Sequence, residues 1–214
     1  MHVQCVRVPA SLPAGTIDRW LGALPGPYAL GLAERLKRGR GIASLTVLAL
    51  LARLAASCSL PPLSALQWSE RGKPRLSGGP EFSLTHSRGF AACAVAPRGL
   101  PVGIDLEPEG RAGAAAIRRV TCSAERAALA SGSLTATALW TAKEAVIKAA
   151  GAGLADIRRV AVRQDRARFA GMDFAWRQLR PGDGLLLALA TRGPMPAINL
   201  GWSTAAAVFG RRAA

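Results

Sequence analysis

The chain has 214 residues, half of them hydrophobic, and its 28 Lys and Arg residues outnumber 13 Asp and Glu residues. That length predicts one globular domain or two small half-domains, and the hydrophobic content excludes low-complexity disorder. The longest apolar run, residues 45–52, is much shorter than the roughly 20 residues that cross a bilayer. The net charge of +15 indicates a polyanionic partner: nucleic acid, a phosphorylated cofactor, an acidic protein or an anionic membrane surface.

The cysteines and the N-terminus indicate a cytoplasmic protein. The four cysteines stand apart in the sequence, so no C-x-x-C pair supports a zinc site or a redox pair. They are typical of reduced core residues. Residues 1–7 lack the charged end and apolar stretch of a signal peptide.

In the first half of the chain, hydrophobic spacing predicts short strands and two helices. The predicted elements are a strand at 2–8, helices at 16–24 and 42–57, a short helix or strand within 64–76, and strands at 81–87, 90–96 and 102–107. The last three strands are joined by tight turns, which predicts an antiparallel meander.

The second half begins with helices and ends with strands. Two short helices are predicted around Thr121–Ser123, with Ser123 as the N-cap of the second. A long helix at about 135–150 is expected to end at the glycines 151 and 153. Strands or strand ends follow at 157–163, 166–177, 184–191 and 198–208. This order predicts an α+β fold of two similar halves that meet near residue 104.

Two carboxylates lie two residues apart in the strand at 102–107. Asp105 and Glu107 therefore point to the same side of the strand, roughly 6–7 Å apart. Such a pair suits Mg²⁺, which binds oxygen ligands and usually takes only one or two carboxylates. The alternative is an edge strand with an acidic face in solvent.

The long helix carries a second polar group. Trp140, Glu144 and Lys148 are spaced by four residues and share one helical face. Only four of the 28 basic residues are lysines, and two of these four, Lys143 and Lys148, lie in this helix. Lysine is a compact point charge that suits single phosphate oxygens. The alternative is an amphipathic helix with an ordinary salt bridge.

Three further residues are candidates for phosphate binding. Lys37 and Lys73 lie in basic runs, and His86 lies at a strand end beside Ser87. Each has a simpler interpretation, as a solvated surface charge or a structural histidine.

Four segments, taken together and in their order along the chain, indicate a function much more specifically than any one residue or pair does. They are Arg-Gly-Lys-Pro at 71–74, Phe-Ser-Leu-Thr-His-Ser at 82–87, Val-Gly-Ile-Asp-Leu-Glu at 102–107, and the stretch 140–154 with its W-x-x-K-E-A-x-x-K pattern. This series resembles the Sfp-type 4′-phosphopantetheinyl transferases of the W-x-x-K-E-A subgroup. The resemblance covers about 70–155 well and the ends only in general layout.

The resemblance implies a pseudo-twofold α/β fold of two similar half-domains, each a small antiparallel sheet packed with helices, with the active site between them. Residues 1–104 would form the coenzyme A nucleotide side, and residues 105–214 the metal-binding side. The implied reaction is Mg²⁺-dependent, with Mn²⁺ as an alternative ion. It moves the phosphopantetheine arm of coenzyme A to a serine hydroxyl of an acidic acyl or peptidyl carrier protein and releases adenosine 3′,5′-bisphosphate. Neither nucleic acid nor a membrane is then an expected partner.

The resemblance also assigns roles to single residues. It implies that Asp105, Glu107 and Glu144 bind the metal, that Glu144 and Lys148 act in catalysis with Glu125 as a candidate auxiliary base, and that Lys148, Lys73, Pro74, Thr85 and His86 contact coenzyme A. The first half departs from the family, because the helix at 42–57 has no basic residue before Arg53. Ser44 is assigned to the nucleotide side, and the 3′-phosphate contact falls either to Arg40 or to Lys37 and Arg38.

The main alternative is a basic nucleic-acid-binding module without enzymatic activity. The basic residues are scattered, however, and aromatic residues are only 5% of the chain, which is few for base stacking. A family member that only binds is a second alternative. The sequence leaves open whether Glu144 or Glu125 is the base. It also leaves open whether the carrier belongs to polyketide, nonribosomal-peptide or fatty-acid synthesis. A monomer suffices if both halves lie in one chain.

Overall fold

A computed structural model describes residues 1–110 and 113–210. The chain forms two compact units: the first is Met1–Gly99 with the C-terminal segment that starts at Ile198, and the second is Leu100–Ala197. Among the described helices, none combines the length and hydrophobicity needed to cross a membrane.

Both units contain helices and strands, so the predicted α+β class is confirmed. The helices are α1 (Ala14–Gly22), α2 (Gly26–Lys37), α3 (Ile42–Cys58), α4 (Ala114–Val120), α5 (Ser123–Ala130), α6 (Ala136–Ala150) and α7 (Ala205–Phe209), with 3-10 turns at Leu63–Ala65 and Leu154–Arg159. The strands are β1 (His2–Arg7), β2 (Leu66–Trp68), β3 (Pro74–Leu76), β4 (Glu81–Ser87), β5 (Phe90–Ala96), β6 (Val102–Pro108), β7 (Ala161–Arg163), β8 (Arg166–Phe169), β9 (Met172–Gly182), β10 (Leu185–Thr191) and β11 (Asn199–Ser203).

The first unit is built on a four-stranded sheet in the order β11-β1-β5-β4. β11 runs parallel to β1, so this sheet is mixed, while β1, β5 and β4 pair antiparallel. Helix α3 packs on β5, and its apolar residues are buried on nearly every side of the helix. β2 and β3 form a separate small hairpin.

The predicted meander of three strands is wrong in its last member. β4 and β5 form a hairpin, but β6 leaves this sheet and pairs antiparallel with β10. Residues 102–106 are all buried, so β6 needs cover on both faces. Period-two alternation identifies a strand, but it does not identify the strand's hydrogen-bonding partner.

The second unit is built on a five-stranded antiparallel sheet in the order β6-β10-β9-β8-β7. Helix α6 lies across one face of this sheet and packs mainly on β6 and β10. Its apolar side chains, such as Leu139 and Val146, join Phe174 and Trp176 of β9 in the core of the unit.

The ends of the helices in this unit follow capping rules, with one correction. Helix α6 ends as predicted at Gly151, which has a φ of 65°. The prediction that Ser123 caps α5 is wrong, since Ser123 is the first helical residue and Cys122 occupies the N-cap position. The side chain of Glu125 reaches back and accepts the backbone N–H of Cys122 at 2.8 Å.

Candidate active site

Gly103 determines how closely helix α6 approaches strand β6. A methyl group on Gly103 would overlap the backbone carbonyl of Ala145 and would lie 2.5 Å from the amide nitrogen of Ala149. Only a residue without a side chain allows this contact between helix and strand backbones. It brings Glu144 and Lys148 of α6 to the part of β6 that carries Asp105.

Lys148 connects the helix to the carboxylates of β6. Its Nζ lies 2.7 Å from Asp105 Oδ1 and 3.9 Å from Glu144 Oε2. The same ammonium donates a hydrogen bond to the carbonyl oxygen of Ile104 at 3.0 Å. Asp105 is buried, whereas the side chains of Glu144 and Lys148 keep 21% and 29% of their surface exposed. These two side chains therefore remain accessible to a substrate.

The burial of Glu144 and the neighbouring charges shift the pKa of its carboxyl group. Burial, and next the negative charge of Asp105, raise the pKa of Glu144 to about 7, and Glu107 adds to the rise. Lys148 and a hydrogen bond with Trp140 oppose the shift. Because Asp105 and Glu107 both act on Glu144, the three carboxylates lie close enough for mutual repulsion. A carboxylate with a pKa near 7 is suited to proton transfer at neutral pH.

The carboxylates of β6 have the donor chemistry expected for Mg²⁺. In residues 1–110 and 113–210, no group of three or more His, Cys, Asp or Glu side chains is arranged to hold a metal ion. The chemistry of Asp105 and Glu107 nevertheless fits, because Mg²⁺ is commonly held by one or two carboxylates together with water and phosphate oxygens. A cation would also relieve the repulsion that raises the pKa of Glu144.

Glu125 has different neighbours from the Asp105 group. Its side chain is fully buried, and Oε1 lies 2.9 Å from the equally buried Nζ of Lys143. Oε1 also accepts the backbone N–H of Val162, and Oε2 accepts that of Cys122, both at 2.8 Å. Lys143 donates in addition to the carbonyl oxygen of Val160. The pair ties α5, α6 and the start of β7 together.

In the first unit, two of the predicted site residues meet. Ser44 lies in the first turn of α3, and its Oγ is 3.4 Å from Nε2 of His86 on β4. Thr85 is buried while the adjacent His86 is exposed, as alternation along a strand requires. The helix N-terminus, a hydroxyl and an imidazole together form a site with the character to bind an anion.

The other predicted residues of this unit lie in turns. The backbone of Lys73 is fixed in the β2–β3 turn, where its N–H donates to Ser69 Oγ at 3.0 Å, and Pro74 begins β3. Burial lowers the pKa of Lys73, and Glu81 partly offsets this effect. Arg40 is exposed just before α3. Lys37 forms an ion pair with Glu34 at 2.8 Å, so it is a weaker candidate for phosphate binding.

The structure thus brings Asp105, Glu107, Glu144 and Lys148 together in the second unit, and Ser44 with His86 in the first. Sequence reasoning missed the roles of Gly103 and Lys143. The rarity of lysine in the sequence marks Lys143 as unusual. The burial of Lys143 against Glu125, however, depends on contacts between distant segments.

One comparison bears on the class of protein. Residues 101–179 match the family model of the 4′-phosphopantetheinyl transferase superfamily, a stretch that contains Asp105, Glu107, Glu125, Glu144 and Lys148. This match supports a transferase that uses coenzyme A and transfers phosphopantetheine in general. No curated protein matches the chain. Membership of the Sfp-type subgroup stays a prediction.

Proposed function

We propose that the protein transfers the 4′-phosphopantetheine arm of coenzyme A to a serine hydroxyl of an acyl or peptidyl carrier protein, as an Sfp-type enzyme. The observation that carries this proposal is the meeting of Asp105, Glu144 and Lys148 beside β6, within the residues that match the superfamily. The serine oxygen would attack the β-phosphorus of coenzyme A, and adenosine 3′,5′-bisphosphate would leave.

Glu144 is the proposed general base. Its partly exposed carboxylate, which lies beside Lys148, suits acceptance of the serine proton. We assign no proton transfer to Glu125, because both of its oxygens accept backbone N–H groups and Oε1 also faces Lys143. Its proposed role is to hold α6 in place.

Lys148 is proposed to stabilise negative charge on the phosphate oxygens as the serine attacks. The contacts with Asp105 and Ile104 fix the position of its ammonium group before a substrate arrives. A cation that is already oriented stabilises the transition state without a further cost of reorganisation.

Asp105, Glu107 and Glu144 are the residues proposed to hold Mg²⁺. When bound, the ion would neutralise charge on the diphosphate of coenzyme A, as is general in phosphoryl transfer. In the first unit, Ser44 and His86 are proposed to bind the 3′-phosphate with Arg40. Lys73, Pro74 and Thr85 are proposed to contact the rest of the nucleotide.

The proposal is tested by incubating the protein with coenzyme A, Mg²⁺ and a panel of apo carrier proteins, followed by intact mass measurement. We expect a phosphopantetheine-sized gain on at least one carrier. Glu144→Gln should lower the rate by about 10² to 10⁴-fold, the usual contribution of general base catalysis. Asp18→Asn, which removes an exposed carboxylate from α1, is the matched control and should keep full activity. No mass gain on any carrier, or a fully active Glu144→Gln variant, would contradict the proposal.

A further inference from the structure

Four exposed arginines share one side of the outer strands of the five-stranded sheet: Arg163, Arg166, Arg168 and Arg177. They alternate along their strands with residues that are buried beneath helix α6. We call this surface, on the side of the sheet away from α6, the arginine face. The register places Arg163 directly opposite Arg166. Like charges opposite each other destabilise a sheet, so local packing does not account for this arrangement.

Two acidic neighbours offset only part of these four charges. Asp173 is opposite Arg168 in the register, and Asp165 lies in the turn between β7 and β8. Among the residues that the structure describes, neither carboxylate forms an ion pair with the four guanidinium groups. The arginine face is therefore a positively charged surface with donors available to a ligand.

A groove of about 310 Å³ runs along this face. Arg163, Arg166, Arg168 and Asp173 border it together with Ala161, which lies opposite Arg168 in the register. Three strands about 4.8 Å apart make a platform about as wide as an α-helix, whose diameter is roughly 10 Å. The small side chain of the exposed Ala161 leaves room for such an element to approach the sheet.

The spacing of the arginines favours a carboxylate-bearing helix as the occupant. Guanidinium groups bind carboxylates through two parallel hydrogen bonds. The Cβ atoms of the cross-strand pair Arg163 and Arg166 are expected about 5 Å apart, which matches the roughly 5–6 Å between Cβ atoms of residues three or four apart on a helix. Nucleic acid fits less well, because Phe174 and Trp176 are buried in the core and leave no aromatic surface here on which bases could stack.

We propose that the arginine face is a docking site for an acidic helical segment of a partner protein. It is separate from the proposed catalytic residues, because Gly103, Asp105 and Glu107 belong to the opposite side of the sheet, the side that α6 covers. A partner bound there would leave Glu144 and Lys148 accessible, so docking and catalysis can proceed together.

The test uses a labelled alanine-rich helical peptide of about 20 residues, with glutamates spaced by three and four, in fluorescence anisotropy at low salt. The face variant R163Q/R166Q/R168Q should weaken binding by about tenfold, the effect of losing several exposed ion pairs. The control variant R98Q/R119Q/R192Q removes the same charge at exposed positions outside the face and should change binding less than twofold. If the triple variant does not fold, the single substitution Arg163→Gln is measured instead, and a smaller loss of peptide binding is expected.

Transfer of phosphopantetheine to an isolated carrier should fall no further in the face variant than in the control variant, which has lost the same charge, and this separates the inference from the proposed function. No binding of the peptide, or equal losses in the face and control variants, would overturn the docking site. A duplex oligonucleotide that binds the wild type but not the face variant, with the peptide unaffected, would assign the face to nucleic acid and also overturn it.

Discussion

The ionisation of Glu144 links the electrostatics of the site to pH. Its pKa is raised from 4.5 to about 7, so the folded protein holds this proton more tightly than the unfolded chain does. Protonation of Glu144 therefore stabilises the metal-free fold at low pH. That contribution is lost as pH rises from about 4.5 through 7.

We predict that Mg²⁺ with coenzyme A raises the melting temperature more at about pH 8 than at about pH 5.5, on either side of the raised pKa of Glu144. At about pH 8 Glu144 is already ionised, so binding of the ion does not have to displace its proton. Differential scanning fluorimetry at both pH values measures the shift. Glu144→Gln should reduce the pH dependence relative to the wild type, and an equal pH dependence in the two proteins would contradict the assignment of Glu144 to the metal.

A second prediction concerns the buried pair of Glu125 and Lys143. Lys143→Met would leave a buried carboxylate without its cation, which typically costs about 3–5 kcal/mol of unfolding free energy. Lys37→Met removes the same kind of side chain from the exposed ion pair with Glu34 and should have little effect on stability. Urea denaturation compares the two variants, and similar losses in both would refute the structural role of Lys143.

At the scale of elements, the contact between α6 and β6 is the feature on which the site depends. We predict that Gly103→Ala lowers the free energy of unfolding by about 1–3 kcal/mol or more, because helix α6 and strand β6 must move apart. The same change should lower phosphopantetheine transfer, since Lys148 and Glu144 would shift relative to Asp105.

Gly31→Ala is the matched control for this prediction. Gly31 is exposed in the middle of α2, and a methyl group there meets nothing within 4 Å. Alanine should raise stability by up to about 1 kcal/mol because of its higher helix propensity. Thermal unfolding of the two variants, together with initial rates, distinguishes a packing effect from a general intolerance of substitution.

Most elements were predictable because their signals are local. Apolar spacing located α3 and α6, and the left-handed conformation of Gly151 follows from the ease with which glycine adopts it. The N-cap of α5 was missed because serine is among the preferred N-cap residues, whereas here the cap is Cys122, whose backbone N–H is bound by Glu125.

At the scale of the whole molecule, the net charge of +15 makes encounter with acidic partners dependent on ionic strength. We predict that kcat/KM for an acidic carrier protein falls steeply as NaCl rises from about 50 to about 500 mM, because the added salt shortens the range of the attraction. The value of kcat at saturating carrier should change little, because screening acts on encounter rather than on the bound complex. Steady-state kinetics across this range provide the measurement, and a flat response of kcat/KM would exclude electrostatic steering.

The sequence by itself determined the α+β class, the helices and strands with strong periodicity, and the pattern of carboxylates and lysines that resembles a transferase family. These features depend on residue types at short spacing. Only the tertiary structure decided that β6 pairs with β10, that β11 joins β1 in parallel, and that Lys143 is buried against Glu125. Such contacts join segments far apart in the chain, and their partners are chosen by packing and burial that no local pattern contains.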